Sequence, residues 1–259
     1  MIKFYKYQGA GNDFVIIDNR ANVFTGDKEK LAKELCKRKF SIGSDGLIFI
    51  ENSEKAAFKI DFLNPDGSRS FCGNGSRCAV QFARDQNIFV SNETSFIAID
   101  GIHFANIARD SVKIEMKDVH LIQELEDSYF TNTGSPHYVS YFDSIDEFDI
   151  IEFGHKIRYS EKYKIVGTNV NIVEEMSPMN IKVRTYERGV ENETLACGTG
   201  VTACALTYGL KNKISSGTVN IQALGGELKV SFTRSNDNSF ERIWLEGPAI
   251  FVFKGEINV

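Results

Sequence analysis

The stretch FCGNGSRCA, residues 71–79, reads as a glycine-rich turn opening a helix, and it returns in altered form as ACGTGVTACA, residues 196–205. Each turn begins with a cysteine and a glycine: Cys72-Gly73-Asn74-Gly75 in the first, Cys197-Gly198-Thr199-Gly200 in the second. The two cysteines stand 125 positions apart in a chain of 259. Two further pairs of landmarks keep nearly the same spacing, Asp13 with His137 at 124 and Asn64 with Glu187 at 123. A near-constant offset of this length is too long for a solenoid repeat and points to a duplicated domain. Two like thiols, one in each half, suggest an active site on a pseudo-twofold axis.

The segments around the cysteines carry sheet and helix patterns in the same order in both halves. Residues 2–7 alternate and break at Gly9-Ala10-Gly11-Asn12-Asp13, and residues 14–18 return as a hairpin partner. Residues 27–39 have helical spacing, with Leu31, Leu35 and Cys36 on one side. Residues 47–50 and 58–63 read as strands, Asn64-Pro65-Asp66-Gly67 as a turn, and residues 95–116 as two or three strands. In the second half, residues 133–139 parallel residues 9–15. A strand over 181–186 leads to a turn at Arg188-Gly189, then the second Cys-Gly turn, an apolar helix over 201–210, and strands near 217–232 and 240–253. The predicted class is α/β (α+β) with two pseudo-symmetric domains. The first spans 1–116, completed by a C-terminal strand at 249–259, and the second spans 117–248.

A hydrophobic fraction of 42% suffices for real cores, and a chain this long is comfortable for two domains. The net charge of −5 and the lack of a long basic run argue against nucleic acid as a partner. Apolar stretches such as residues 46–50 are too short to span a bilayer, and the opening MIKFYKYQGAGNDF lacks a secretory apolar region. The expectation is a soluble cytoplasmic protein. Five cysteines is an odd count, which suits free thiols in a reducing compartment.

A thiol at a helix N-terminus has its thiolate favoured by the helix dipole, and the glycine after it lets backbone approach a ligand. The N–H groups of Gly73-Asn74 and Gly198-Thr199 can cradle a carboxylate. An α-amino acid held there has its α-carbon between two sulfurs. One removes the α-proton as thiolate, and the other returns a proton to the opposite face as thiol. Cys36, Cys78 and Cys204 read as small buried hydrophobes. The Cys72/Cys78 and Cys197/Cys204 spacings of six and seven do not suit a zinc knuckle. GAGND lacks the Lys-Ser/Thr ending of a phosphate loop and the full dinucleotide fingerprint. No metal and no cofactor are expected.

The motifs together resemble the diaminopimelate epimerase family. The matching stretches are GAGNDF (9–14), IGSDG (42–46), FLNPDGS (62–68), CGNGSRC (72–78), GSPH (134–137), GTNVN (167–171), YERG (186–189) and ACGTG (196–200). They run in the family's order over nearly the whole chain. The resemblance implies two domains, each a sheet wrapped around a central helix. It also implies interconversion of LL- and meso-2,6-diaminopimelate without pyridoxal phosphate or metal, a homodimer, and a place in lysine and peptidoglycan-precursor synthesis. By the same resemblance, Cys72 and Cys197 are the acid/base pair, and His137 and Glu187 flank the reacting centre and its amino group. Asn12, Asn64, Asn169 and Arg188 hold the substrate, chiefly its distal end, and Gly73-Asn74 with Gly198-Thr199 cradle the α-carboxylate.

Three positions depart from the family pattern. Ser135 stands where many members carry asparagine, and its hydroxyl reaches less far toward substrate. Gly46 stands where some members place a substrate-contacting glutamine. The segment from Glu187 to Cys197 is one residue longer than the common form. The nearest rival is a proline or hydroxyproline racemase on the same fold, whose second motif differs from ETLACGTG. A non-catalytic binder on this fold would not need both thiols.

Overall fold

In the computed structural model, which describes residues 1–108 and 111–258, the chain divides into two compact units. One runs from Met1 to Ile114 and takes in the chain from Gly247 onward; the other runs from Glu115 to Glu246. Val259, the last residue of the expected closing strand, lies outside the described residues. No helix of the described residues is long and apolar enough to cross a bilayer.

The first unit is built from β1 (Ile2–Gly9), β2 (Asn12–Asp18), α1 (Lys28–Leu35), β3 (Gly46–Glu51), β4 (Phe58–Leu63), α2 (Gly73–Asp85), β5 (Glu93–Ala98), β6 (Gly101–Ile107) and β7 (Val112–Glu115). Hairpin pairings alternate with parallel crossovers. β1–β2, β3–β4, β5–β6 and β6–β7 are antiparallel, while β2–β3 and β4–β5 are parallel. The closing strand Ile250–Ile257 pairs antiparallel with β1. The parallel steps are the places where a helix crosses over, as that geometry requires. α2 packs against β1, β2, β3, β4 and the closing strand, and from Gly73 to Ala83 only Gln81 is not buried. It is the central helix around which this sheet wraps. α1 lies on the other face, where Leu31, Ala32 and Leu35 join Val15, Ile17, Leu47 and Phe49 in a second core.

α1 is shorter than the 27–39 span its spacing predicts. Asp27 caps it by accepting the N–H groups of Glu29 and Lys30, and Cys36 ends it. Lys39 turns to a φ of 70°, so the chain cannot continue as helix, and Arg38 is freed to bind carboxylates.

The second unit repeats the order with β8 (Ile122–Glu124), β9 (Ser128–Asn132), β10 (Pro136–Tyr141), α3 (Ile150–Arg158), β11 (Asn169–Ser177), β12 (Asn180–Glu187), β13 (Asn192–Thr194), α4 (Gly198–Lys211), β14 (Ser216–Ala223), β15 (Gly226–Asn236) and β16 (Ser239–Gly247). β9–β10 and β11–β12 are antiparallel hairpins, and β10–β11 and β12–β14 are parallel steps, the same order of pairings as in the first unit, with β13 added on β12. α4 is buried from Gly198 to Leu210, so it needs no polar stripe and reads as apolar all round.

α3 is the element that the sequence pattern did not reveal. Gly154 interrupts it, and a Cβ there would fall 2.4 Å from Cγ of Tyr186. The glycine is therefore a packing requirement rather than a break. Its one sequence signal is Asp149, three residues before Glu152, whose side chain accepts the Glu152 N–H at 2.9 Å.

Candidate active site

In the first unit Cys72 is the N-cap of α2. Its backbone is extended, with φ at −126°, and its Sγ accepts the Gly75 N–H at 3.4 Å. The N–H groups of Gly73 and Asn74 belong to the first turn, where no intrahelical acceptor exists. Asn74 is buried, and its Nδ2 donates to Oδ1 of Asn12 at 2.5 Å. Asn12 in turn donates through Nδ2 to Asp45 Oδ2 at 3.1 Å. Arg38 grips Asp45 at 2.8 Å and Asp13 at 2.5 Å, and buried Lys6 pairs with Asp13 at 2.7 Å. Burial pushes the Asp13 carboxyl up, but Arg38 and Lys6 outweigh it and hold it below its ordinary range. The amide of Asn12 is thereby fixed between a carboxylate and the head of the cysteine helix.

Asn64 is turned into its own loop. Its Nδ2 lies 3.2 Å from Ser68 O, 3.0 Å from Ser68 Oγ and 3.1 Å from Ser70 Oγ. Gly46 has no room for a longer side chain, because a Cβ there would sit 2.5 Å from the ring of Phe62. One turn along α2, Arg77 is wholly buried. Its Nε reaches Pro248 O at 3.5 Å, while Nη1 and Nη2 have no hydrogen-bond partner among the described residues. Burial lowers its pKa to about 10. Burial also pushes the Cys78 thiol up to about 12, so Cys78 stays protonated at neutral pH.

In the second unit Cys197 is the N-cap of α4, buried, with φ at −114°. Its Sγ lies 3.4 Å from the Thr199 hydroxyl, which lies 2.9 Å from Nε2 of His137. Thr199 O accepts from the Thr133 hydroxyl at 2.8 Å, tying the helix head to the segment before β10. His137 and Asn169 are partners on the parallel β10–β11 ladder, and Asn171 lies two residues further on the same face. Asn169 Oδ1 accepts the Arg188 N–H at 2.8 Å, and Arg188 Nη1 donates to Val166 O at 2.7 Å. Glu187 Oε2 accepts from Thr194 Oγ1 at 3.0 Å. The longer segment from Glu187 to Cys197 forms a hairpin. β13 pairs back on β12, and the turn closes with Glu191 N–H on Glu187 O at 2.8 Å. Ser135 lies half-buried between Gly134 and β10, and its carbonyl accepts the Thr133 N–H at 3.2 Å.

The structure thus gathers Cys72, Gly73, Asn74 and Asn12 in the first unit, with Asn64 held in its loop. It gathers Cys197, Gly198, Thr199, His137, Asn169 and Arg188 in the second. Asp45 and Arg38, which hold Asn12, and Asn171 and Thr185, where Asn171 Nδ2 lies 3.1 Å from His137 Nδ1 and Thr185 donates to Asn171 Oδ1, were not singled out from the sequence. Asp45 and Asn171 lie inside the quoted IGSDG and GTNVN stretches. The period-2 spacing of Asn171 from Asn169 was the available signal.

The family model described as diaminopimelate epimerase matches residues 4–122 and 129–252. A curated relative, the diaminopimelate epimerase of Flavobacterium psychrophilum, is 47% identical over 258 residues, covering 99% of this chain and 100% of the relative. Among solved structures, a phenazine biosynthesis protein of the PhzF family from Bacillus anthracis superposes with a TM-score of 0.80 at 14% identity, covering 100% of this chain and 99% of that one. A hydroxyproline epimerase from Agrobacterium vitis with bound trans-4-hydroxy-L-proline superposes with a TM-score of 0.75 at 14% identity, covering 99% and 90%. At that identity the two structural likenesses speak to the fold alone.

Proposed function

The chain belongs to the diaminopimelate epimerase family, and on that premise we propose that it interconverts LL- and meso-2,6-diaminopimelate by proton exchange at one α-carbon. The observation that carries the chemistry is the same in both units: a cysteine at the N-cap of a buried helix. Cys72 and Cys197 are the two bases. The thiolate of one takes the α-proton, and the electron pair of the C–H bond passes into the carboxylate as an enediolate. The thiol of the other then gives its proton to the opposite face. After turnover the proton has moved from one sulfur to the other, so the reverse reaction starts with the roles exchanged.

The N–H groups of Gly73-Asn74 and Gly198-Thr199 stabilise the enediolate charge at the helix heads, where the dipoles favour an anion. The Arg188 guanidinium offers a planar fork for the distal carboxylate, with Asn12, Asn64, Asn169 and Ser135 as amide and hydroxyl partners. Glu187 and His137 flank the reacting centre and its amino group, with His137 acting through Thr199. The enzyme works without pyridoxal phosphate or metal, acts in the cytoplasm as a homodimer, and supplies lysine and peptidoglycan synthesis.

In D₂O, LL-diaminopimelate incubated with the enzyme gains deuterium at the α-position as meso product forms, while proline does not. The exchange persists in EDTA. Loss of α-protons from proline but not from diaminopimelate would move the chain to the racemase relatives.

A further inference from the structure

We propose that Asn171, with Thr185 behind it, is a positioning residue that holds His137 as its Nε2–H tautomer and so turns the Thr199 hydroxyl toward Cys197. The inference rests on the reading of Cys197 as one of the two reacting thiols. Its fixed point is the Tyr138 carbonyl, which can only accept. The Asn171 side-chain atom 3.0 Å from that carbonyl must therefore be the amide nitrogen Nδ2. The other end of the amide, Oδ1, accepts the Thr185 hydroxyl at 2.9 Å. Asn171 and Thr185 are direct partners on the antiparallel β11–β12 ladder, so register sets this contact.

The same Nδ2 lies 3.1 Å from Nδ1 of His137. A nitrogen facing an amide donor must offer its lone pair, so the ring proton sits on Nε2. Nε2–H then donates to the Thr199 oxygen at 2.9 Å. With its oxygen accepting from the ring, Thr199 has its own hydrogen to give, and Cys197 Sγ lies 3.4 Å away. The chain thus runs Asn171 to His137 to Thr199 to sulfur, each link donating to the next. Asn169 Nδ2, whose amide is fixed by Oδ1 accepting the Arg188 N–H, faces Nε2 as a second donor at 3.4 Å; this longer contact yields to the 3.1 Å contact at Nδ1 and the 2.9 Å contact with Thr199. The opposite tautomer would set donor against donor at Asn171, or turn its amide so that an oxygen faced the Tyr138 carbonyl. The imidazolium is disfavoured by full burial and by the Arg188 charge.

Gly200 belongs to the same device. A Cβ there would lie 2.6 Å from Asn171 Oδ1, so the glycine lets the amide press against the first turn of the helix that Cys197 heads. The directed hydroxyl stabilises Cys197 as thiolate and sets where the sulfur points.

The test uses the whole protein labelled with nitrogen-15 at histidine. In the parent, His137 shows an unprotonated Nδ1 and a protonated Nε2. Asn171→Asp places acceptors at both ends of the side chain, so the proton moves to Nδ1 and the relay loses its donor. kcat falls on the order of 10-fold to 100-fold while KM moves far less. Thr185→Val loosens the amide and mixes the tautomers, and Thr185→Ser restores the parent spectrum. A parent spectrum with Nδ1 protonated overturns the inference, as does an Asn171→Asp protein that keeps the parent tautomer or the parent kcat. Because the tautomer is read without turnover, an enzyme inactive on diaminopimelate would fail the functional reading while leaving this one decided.

Discussion

His137 is neutral in the folded protein for a reason that has a measurable consequence. Burial first, and the nearby Arg188 charge second, lower its pKa from an ordinary 6.5 to about 3. An amide oxygen from Asn171 would pull it upward, but that oxygen is held by Thr185 and the ring meets the amide nitrogen instead. As pH falls through 6.5 the unfolded chain takes up a proton that the folded chain refuses. The stability contributed by a neutral His137 is therefore full above pH 6.5 and is lost between 6.5 and 3. The slope is at most about 1.4 kcal/mol per pH unit. The paired carboxylates of Asp13, Glu51 and Asp61 are all held below their ordinary range, so they titrate later, and over pH 6.5 to 5 the difference between the parent and a variant lacking this ring reports His137. Urea unfolding of the parent at pH 7, 6 and 5 shows a declining free energy, and His137→Asn flattens the decline. Parallel lines for the two proteins would mean that His137 carries its proton when folded.

The two cysteine-headed helices share a glycine at the third position after the cysteine, yet that glycine answers to different neighbours. A Cβ on Gly75 would meet Phe14 and Phe62 at 3.4 Å, an ordinary contact. A Cβ on Gly200 would meet Asn171 Oδ1 at 2.6 Å and Cβ of Cys197 at 3.2 Å. Alanine in a helix gains roughly 0.5–1 kcal/mol over glycine, and overpacking costs roughly 1–3 kcal/mol. Gly75→Ala should hold or raise the urea midpoint, and Gly200→Ala should lower stability by about 1–2 kcal/mol. Equal shifts would mean that Asn171 does not press on α4. This asymmetry marks how far the sequence could be read. Phe58–Leu63 emerged as a strand because its alternation is local, and both helix heads emerged because Cys-Gly is a local signal. Asn171 and Thr185 were hidden because their partners come from strand register, and register follows from pairing that no single segment encodes. α3 was hidden because Gly154 answers to Tyr186, a residue on another element.

At the scale of the whole molecule, each unit covers its central helix with its own sheet, and one strand of the first unit remains apolar on its outside. Ile250, Phe251, Val252 and Phe253 lie consecutively in the closing strand and are 45–51% exposed. Phe253 and Phe251 lean on Phe4 and Tyr7 of β1 with ring centroids 5.9 and 5.4 Å apart, so they are anchored from one side only. Four consecutive large apolar residues in the open invite a second surface, since long apolar edges left bare are aggregation sites. The homodimer proposed for this enzyme would cover them, and Val252 has no ring partner to lose among the described residues. Val252→Asp would put a charge into that buried apolar surface, where it lacks a counterion and weakens association by several kcal/mol. Sedimentation velocity at micromolar concentration should find the parent as a dimer and Val252→Asp shifted to monomer, with the far-UV spectrum of the parent retained. A variant that stays dimeric would move the interface away from this strand, and a monomeric parent would remove the homodimer itself.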